Sequence, residues 1–210
     1  NTDQRYEEAK NLFQKKEWGK AKNSFLALQN KFPQSIEAKR AQFLLALIYE
    51  EQQKPEETIK LLEPLTKTYA DVGDYVQFHL IQAQTKSGKF QKARDNAKEF
   101  LKLHPNTLLY GQVQLLLAEA QIQLEEKDAG MSTLEDSIRM ITKDFRYKKF
   151  REFLPEMVFK LADTQEKSGK QIEAYSNFRQ LHIQYPNHDR TPEAEKALKR
   201  LAKLETVKEV

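Results

Sequence analysis

The sequence predicts an all-α protein built as a solenoid of paired helices, and three observations predict it. Ala, Leu, Lys, Glu and Gln abound, whereas Gly numbers 6 and Pro 7 in 210 residues. The abundant types lose little entropy in a helix. Apolar side chains recur at i, i+4 and i+7, which lines one helical face. The same segment pattern then returns along the chain, as in an elongated repeat array that needs no central core.

The repeated segments read EWGKAKNSFLALQNKFP (17–33), KPEETIKLLEPLTKTY (54–69), KFQKARDNAKEFLKLHP (89–105) and KQIEAYSNFRQLHIQYP (170–186). After a polar break comes a small or β-branched residue: Ala21, Thr58, Ala93 or Ala174. Four residues later stand Phe25, Leu62, Ala97 and Phe178, and three beyond those Leu28, Leu65, Phe100 and Leu181. The small residue admits a neighbouring helix. Pro33, Pro105 and Pro186 close three of the four segments. Proline cannot continue the helix and drives its predecessor into extended conformation.

A second amphipathic helix precedes each segment. In AKRAQFLLALIYEEQ (38–52), Ala41, Leu45, Ala46 and Tyr49 share a face, and counterparts lie at 5–16, 75–88, 110–127 and 156–169. The unit is helix–turn–helix. Ala21 to Thr58 is 37 residues, Thr58 to Ala93 is 35, and Ala93 to Ala174 is 81. The last interval holds two repeats, the missing second helix being AGMSTLEDSIRMITKDF (129–145). Gly130 supplies its small residue, with Leu134 four later and Ile138 eight later, which splits the interval into 37 and 44. The extra residues lie around DFRYKKFREF (144–153).

With Ala21/Phe25/Leu28/Pro33 and Ala174/Phe178/Leu181/Pro186 as its clearest instances, the chain resembles the tetratricopeptide-repeat (TPR) family. It departs from the family pattern at Ala70, where repeat two lacks its closing Pro, and in having neither the usual Trp nor the usual Gly of the first helix. The resemblance implies a right-handed α-solenoid of about five helix pairs plus a closing helix, as one domain over 1–210. The repeats then span about 2–34, 35–70, 72–106, 107–145 and 154–187, with the closing helix at 191–205. QYPNHDRTPEAEKALKRLAKL (184–204) and residues 61–107 are similar in pattern to TPR domains of the Gram-negative envelope. These are the outer-membrane assembly lipoprotein, the Tol-associated coordinator and the helical superdomain of soluble lytic transglycosylases.

That similarity implies a non-enzymatic scaffold of the periplasm or outer membrane. Its expected partners are other proteins or peptide segments, including peptidoglycan-associated or outer-membrane proteins. A second reading is the non-catalytic helical part of a peptidoglycan-cleaving lytic transglycosylase. Cysteine is absent, which excludes disulfides, thiol catalysis and Cys-ligated zinc. This suits an oxidising compartment, although cytosolic helical proteins also lack Cys. The apolar run FLLALIY (43–49) is too short to cross a bilayer. A start at Asn1 without Met leads us to expect that a leader or other upstream sequence has been removed.

No catalytic, metal or cofactor residue is expected. His79, His104, His182 and His188 lack the helical spacing of a metal pair, and neither a nucleophile elbow nor a phosphate loop is present. Glu152 and Glu156 stand one turn apart, but Pro155 places Glu156 in a solvated first helical turn, where acids are favourable. In TPR arrays the first helix of each pair lines the concave groove. Transferring that pattern gives Tyr6, Lys10 and Gln14; Phe43, Leu47 and Glu50; Phe78, Gln82 and Lys86; Phe159, Asp163 and Glu166. Phe43 and Phe78 are equally readable as core between repeats.

The formal net charge of +4 is matched by residues 143–151 alone, where five basic side chains face one acid. Arg146, Tyr147, Lys148, Lys149 and Arg151 thus form a second candidate surface. On an α-helix Phe145, Lys149 and Phe153 would share one face, and Arg146, Lys149 and Phe150 another. That mixing disfavours a nucleic-acid platform and a membrane-lying helix. It leaves a joint with aromatics tucked in and cations outside.

Overall fold

The computed structural model describes residues 1–69, 73–204 and 207, over which the chain forms eleven α-helices, one 3₁₀ segment and no strand. It divides into two compact units, Asn1–Phe100 and Leu101–Val210. The first contains α1 (Thr2–Gln14), α2 (Trp18–Lys31), α3 (Ile36–Glu51), α4 (Pro55–Thr68), α5 (Gly73–Lys86) and most of α6 (Phe90–Leu103). The second contains α7 (Tyr110–Gln123), α8 (Lys127–Lys143), the 3₁₀ segment (Phe145–Phe153), α9 (Leu154–Lys167), α10 (Gln171–Gln184) and α11 (Thr191–Leu201). These are five helix pairs and a closing helix, the expected fold class. Ala70, the expected repeat edge at Val72 and the expected helix end at Glu205 lie outside the described residues.

Within each unit, α2, α4 and α10 insert their apolar faces between their own first helix and the next helix along the chain. Ala21, Phe25 and Leu28 of α2 pack with Tyr6 and Ala9 of α1 and with Ala41, Leu45 and Ile48 of α3. Ile59, Leu62 and Leu65 of α4 pack with Ala46 of α3 and with Val76, Leu80 and Ala83 of α5. In the other unit Ala174, Phe178 and Leu181 of α10 lie between Val158 and Ala162 of α9 and Ala194, Ala197 and Leu201 of α11. The core is therefore a chain of small clusters, as expected where each repeat buries its face only against its neighbours.

The register is fixed by five equivalent turns. Lys16, Gln53, Gly88, Glu125 and Gly169 all have positive φ, and each stands five residues before Ala21, Thr58, Ala93, Gly130 or Ala174. At each turn the following amide reaches back to the helix end: Glu17 to Leu12, Lys54 to Tyr49, Lys89 to Gln84, Glu126 to Gln121 and Lys170 to Gln165, all at 2.9 Å. This is the left-handed helix stop, in which one residue with positive φ lets the last carbonyls be satisfied. Glycine enters that region without strain, whereas an L-residue pays about 1–2 kcal/mol. Replacing Lys16, Gln53 and Glu125 together by Gly is expected to raise stability by about 1–2 kcal/mol, after the greater unfolded-state freedom of Gly is subtracted. A urea titration measures it.

Buried glutamines repeat the same spacing. Gln84, Gln121 and Gln165 close the first helices of repeats three to five, and each side-chain amide oxygen accepts from a residue twelve further on. The donors are Asn96 Nδ2 (2.9 Å), Thr133 Oγ1 (2.8 Å) and Asn177 Nδ2 (2.7 Å). The 37 and 44 split of the long interval is thus the structural one. A Cβ on Gly130 would come within 2.7 Å of Ile122 Cγ1 and 3.3 Å of the Ala118 carbonyl, so this small residue seats α8 against α7. One detail differs from expectation. The buried position seven after Gly130 is Ser137, not the neighbouring Ile138, which is half-buried. Its hydroxyl donates to the Thr133 carbonyl at 2.7 Å, so the helix itself satisfies it.

The extra residues of repeat four form the 3₁₀ segment. Asp144, in extended conformation, ends α8, and its side chain accepts from the Arg146 amide at 3.0 Å. With three residues per turn, Tyr147, Phe150 and Phe153 fall in one row, which no α-helical projection reveals. The row points inward. Phe150 is buried, and the Tyr147 and Phe150 ring centroids lie 4.8 and 5.4 Å from that of Tyr110. Phe153 covers Gly111 of α7 so closely that a Cβ there would stand 2.2 Å from the ring. Arg146, Lys148, Lys149 and Arg151 are exposed. The expected joint is present, in 3₁₀ rather than α-helical form.

Candidate partner-binding faces

In the first unit the predicted residues fall on α1, α3 and α5. Tyr6 and Phe78 are only 8 % exposed and belong to the core. Phe43, Leu47, Glu50 and Gln82 are half-buried, as is Lys10, while Gln14 and Lys86 are exposed. Glu50 and Lys86 meet across α3 and α5 at 3.6 Å. Between them sits His79, whose Nδ1 lies 2.8 Å from Glu50 Oε2. The His79 ring is edge-on to Phe43 and Phe78, at centroid distances of 5.7 and 5.3 Å. Sequence reasoning gave His79 no metal role but did not name these partners. The signal was the offset of 29 residues from Glu50, shared by Glu63–Lys92, which stacking by one repeat brings together.

Burial of Glu50 opposes its ionisation, but the hydrogen bond and charge of His79, with the charge of Lys86, outweigh this and hold the carboxyl below its ordinary value of 4.5. A carboxyl with a depressed folded pKa stabilises the fold above the unfolded value, and the contribution is lost as pH falls through the folded one. Glu119 behaves alike: burial raises its pKa, and hydrogen bonds from Lys160 and Gln123 with nearby lysine charge lower it further. Urea midpoints should therefore fall as pH drops below about 4.5, and the double variant Glu50→Gln/Glu119→Gln should show a shallower fall.

In the second unit α7, α9 and α11 carry a row of ion pairs. Lys160 of α9 pairs with Glu119 of α7. Arg200 of α11 grips Glu166 of α9 through two bonds of 2.8 Å. Arg190 grips Glu156 at 3.0 and 3.1 Å, and its guanidinium lies 4.9 Å from the Phe159 ring centre. Glu156 is thus committed to an arginine and forms no acid/base pair with the exposed Glu152. Phe159, Asp163 and Glu166 line a shallow cavity of about 220 Å³ between α9 and α11. Asp163 also lines one of about 240 Å³ between α7 and α9. The structure therefore gathers these three predicted residues into one accessible strip.

A larger cavity, about 520 Å³, lies elsewhere, among α4, α5 and α6, and contains none of the predicted residues. Among the described residues no three His, Asp or Glu side chains converge as metal ligands. Nor is any described helix long and apolar enough to cross a membrane.

Residues 40–71 and 75–107, the second and third helix pairs, match the tetratricopeptide repeat family model. These two pairs are tetratricopeptide repeats. Solved TPR structures share the fold at low sequence identity. A tetratricopeptide repeat protein from Parabacteroides merdae aligns over 98% of this chain and 74% of its own, with 15% identity and a TM-score of 0.76. The TPR-like repeats of a putative kinesin light chain from Podospora anserina align over 86% and 92%, with 18% identity and a TM-score of 0.69. Pseudomonas aeruginosa PilF aligns over 99% and 86%, with 15% identity and a TM-score of 0.66. No curated protein matches the sequence.

Proposed function

We propose that this TPR chain is a non-enzymatic scaffold that holds segments of partner proteins against its first helices. The TPR fold generally serves protein–protein interaction. The observation that carries the reading is the division of labour within each pair. Second helices sink their rows into the core, whereas α3, α5 and α9 keep half-exposed aromatic and charged side chains on a fixed backbone. A preformed face leaves the ordering cost of binding mainly to the partner. The mixture of Phe43, Gln82 and Lys86 in one unit, and of Phe159 and Asp163 in the other, favours amphipathic segments of mixed charge.

The bacterial envelope, periplasmic or outer-membrane-associated, is the proposed location, with peptidoglycan-associated or outer-membrane proteins as partners. It rests on the absence of cysteine and on the pattern of residues 61–107 and 184–204. The same stretch supports the second reading, a non-catalytic part of a lytic transglycosylase, for which a catalytic domain encoded in the same gene is the test. For the scaffold reading, reversing two charges (Lys86→Glu with Asp163→Lys) should lower capture of partner polypeptides from an extract of the source organism about tenfold, since desolvated charge pairs at interfaces are costly to break. Undiminished capture would contradict it.

A further inference from the structure

With Tyr147, Phe150 and Phe153 turned inward, the 3₁₀ segment presents its other two rows outward. Lys148, Lys149 and Arg151, with Lys143 before them, are exposed and make no ion pair among the described residues, whereas Arg146 is held by Asp144 at 2.6 Å. Glu152 is the exposed acid in this stretch. Phe145, 84 % exposed, is the most exposed large apolar side chain described, and the Lys148 ammonium lies 5.9 Å from its ring centre. Across a cavity of about 190 Å³ from Arg146 and Lys149 runs the loop Pro105–Thr107. Leu108, 67 % exposed, follows it.

We propose that this ridge docks the protein peripherally on an anionic lipid bilayer, the four free cations meeting lipid phosphates while Phe145 enters the headgroup–acyl boundary. Charge complementarity and the exposed ring argue it together. A basic cluster of this size is attracted to an anionic membrane surface, each cation strengthening binding about fivefold. An aromatic side chain gains by leaving water at that interface. A stacked nucleic acid would need several free rings, and three of the four here are committed to the core or half-buried against it. An acidic peptide would use the cations and leave Phe145 and Leu108 in water.

The test is sedimentation of the whole chain with vesicles of phosphatidylcholine containing about a third phosphatidylglycerol, a composition that supplies the anionic surface required. Binding is expected to those vesicles, to be absent with phosphatidylcholine alone, and to be abolished near 1 M salt, where screening shortens to about 3 Å. Lys143→Gln/Lys148→Gln/Lys149→Gln/Arg151→Gln should weaken it by about 100-fold or more, and Phe145→Ser by a smaller factor. Neutralising four exposed lysines outside the ridge (Lys15, Lys60, Lys98 and Lys199) removes the same net charge and should leave it within about threefold. Absence of vesicle binding, equal loss in the two quadruple variants, or tighter binding of an oligoglutamate peptide or a single-stranded oligonucleotide than of vesicles would overturn the proposal. Circular dichroism confirms that each surface variant is folded.

Discussion

Phe150→Ala is expected to destabilise the second unit by about 3–5 kcal/mol, the usual cost of emptying a buried phenylalanine site. Phe145→Ala, five residues earlier in the same basic stretch, should change stability by less than about 0.5 kcal/mol, as exposed substitutions do. The contrast follows from position. Phe150 is 4 % exposed and packs in the cluster formed by Ala118, Met131, Leu134, Ile141, Leu154, Met157 and Leu161. Phe145 projects into solvent. Far-UV circular dichroism during urea unfolding gives the comparison, with Trp18 fluorescence reporting separately on the first unit because the chain has one Trp. Equal effects of the two substitutions would mean that the aromatic row does not face inward.

Gly111→Ala is expected to cost about 2–3 kcal/mol, in the range of overpacked cores. Helix propensity alone predicts the opposite sign, since Ala is favoured over Gly by about 1 kcal/mol in a helix. The clash wins because an added Cβ would stand 2.2 Å from Phe153 Cδ2 and 2.8 Å from Phe153 Cγ, so the whole ring must leave its seat. The pairing makes a further test. In a Phe153→Ala background the same substitution should become neutral or stabilising, and the double-mutant cycle should give a coupling of about 2–3 kcal/mol. Additive effects would show that Phe153 does not rest on Gly111.

Much of this was readable before any coordinates, and the unread parts have physical reasons. Buried residues at Ala21, Thr58, Ala93 and Ala174, and the apolar partners four and seven later, carry the helical period directly, so the pairs were legible. Turns were legible at Gly88 and Gly169 because glycine marks positive φ. They were not at Lys16, Gln53 and Glu125, where the sequence bears the strain without announcing it. The slot filled by Ser137 was missed because a polar letter hides an internally satisfied hydroxyl. The segment 144–153 resisted for a simpler reason. Its rings segregate at a period of three, and an α-helical projection scatters them among the cations. The partners of His79 were unread because Glu50 and Phe43 are distant in sequence and adjacent only once repeats stack.

The central claim, that first helices are the surface on which this chain holds its partners, is tested most directly by photo-crosslinking from single positions. A crosslinking residue at Gln82 of α5 or at Asp163 of α9 should yield discrete protein adducts in an extract of the source organism. The same residue at Lys98 on α6 or Arg179 on α10, both exposed on second helices, should yield none. Adducts from the second helices, with none from Gln82 or Asp163, would contradict the account.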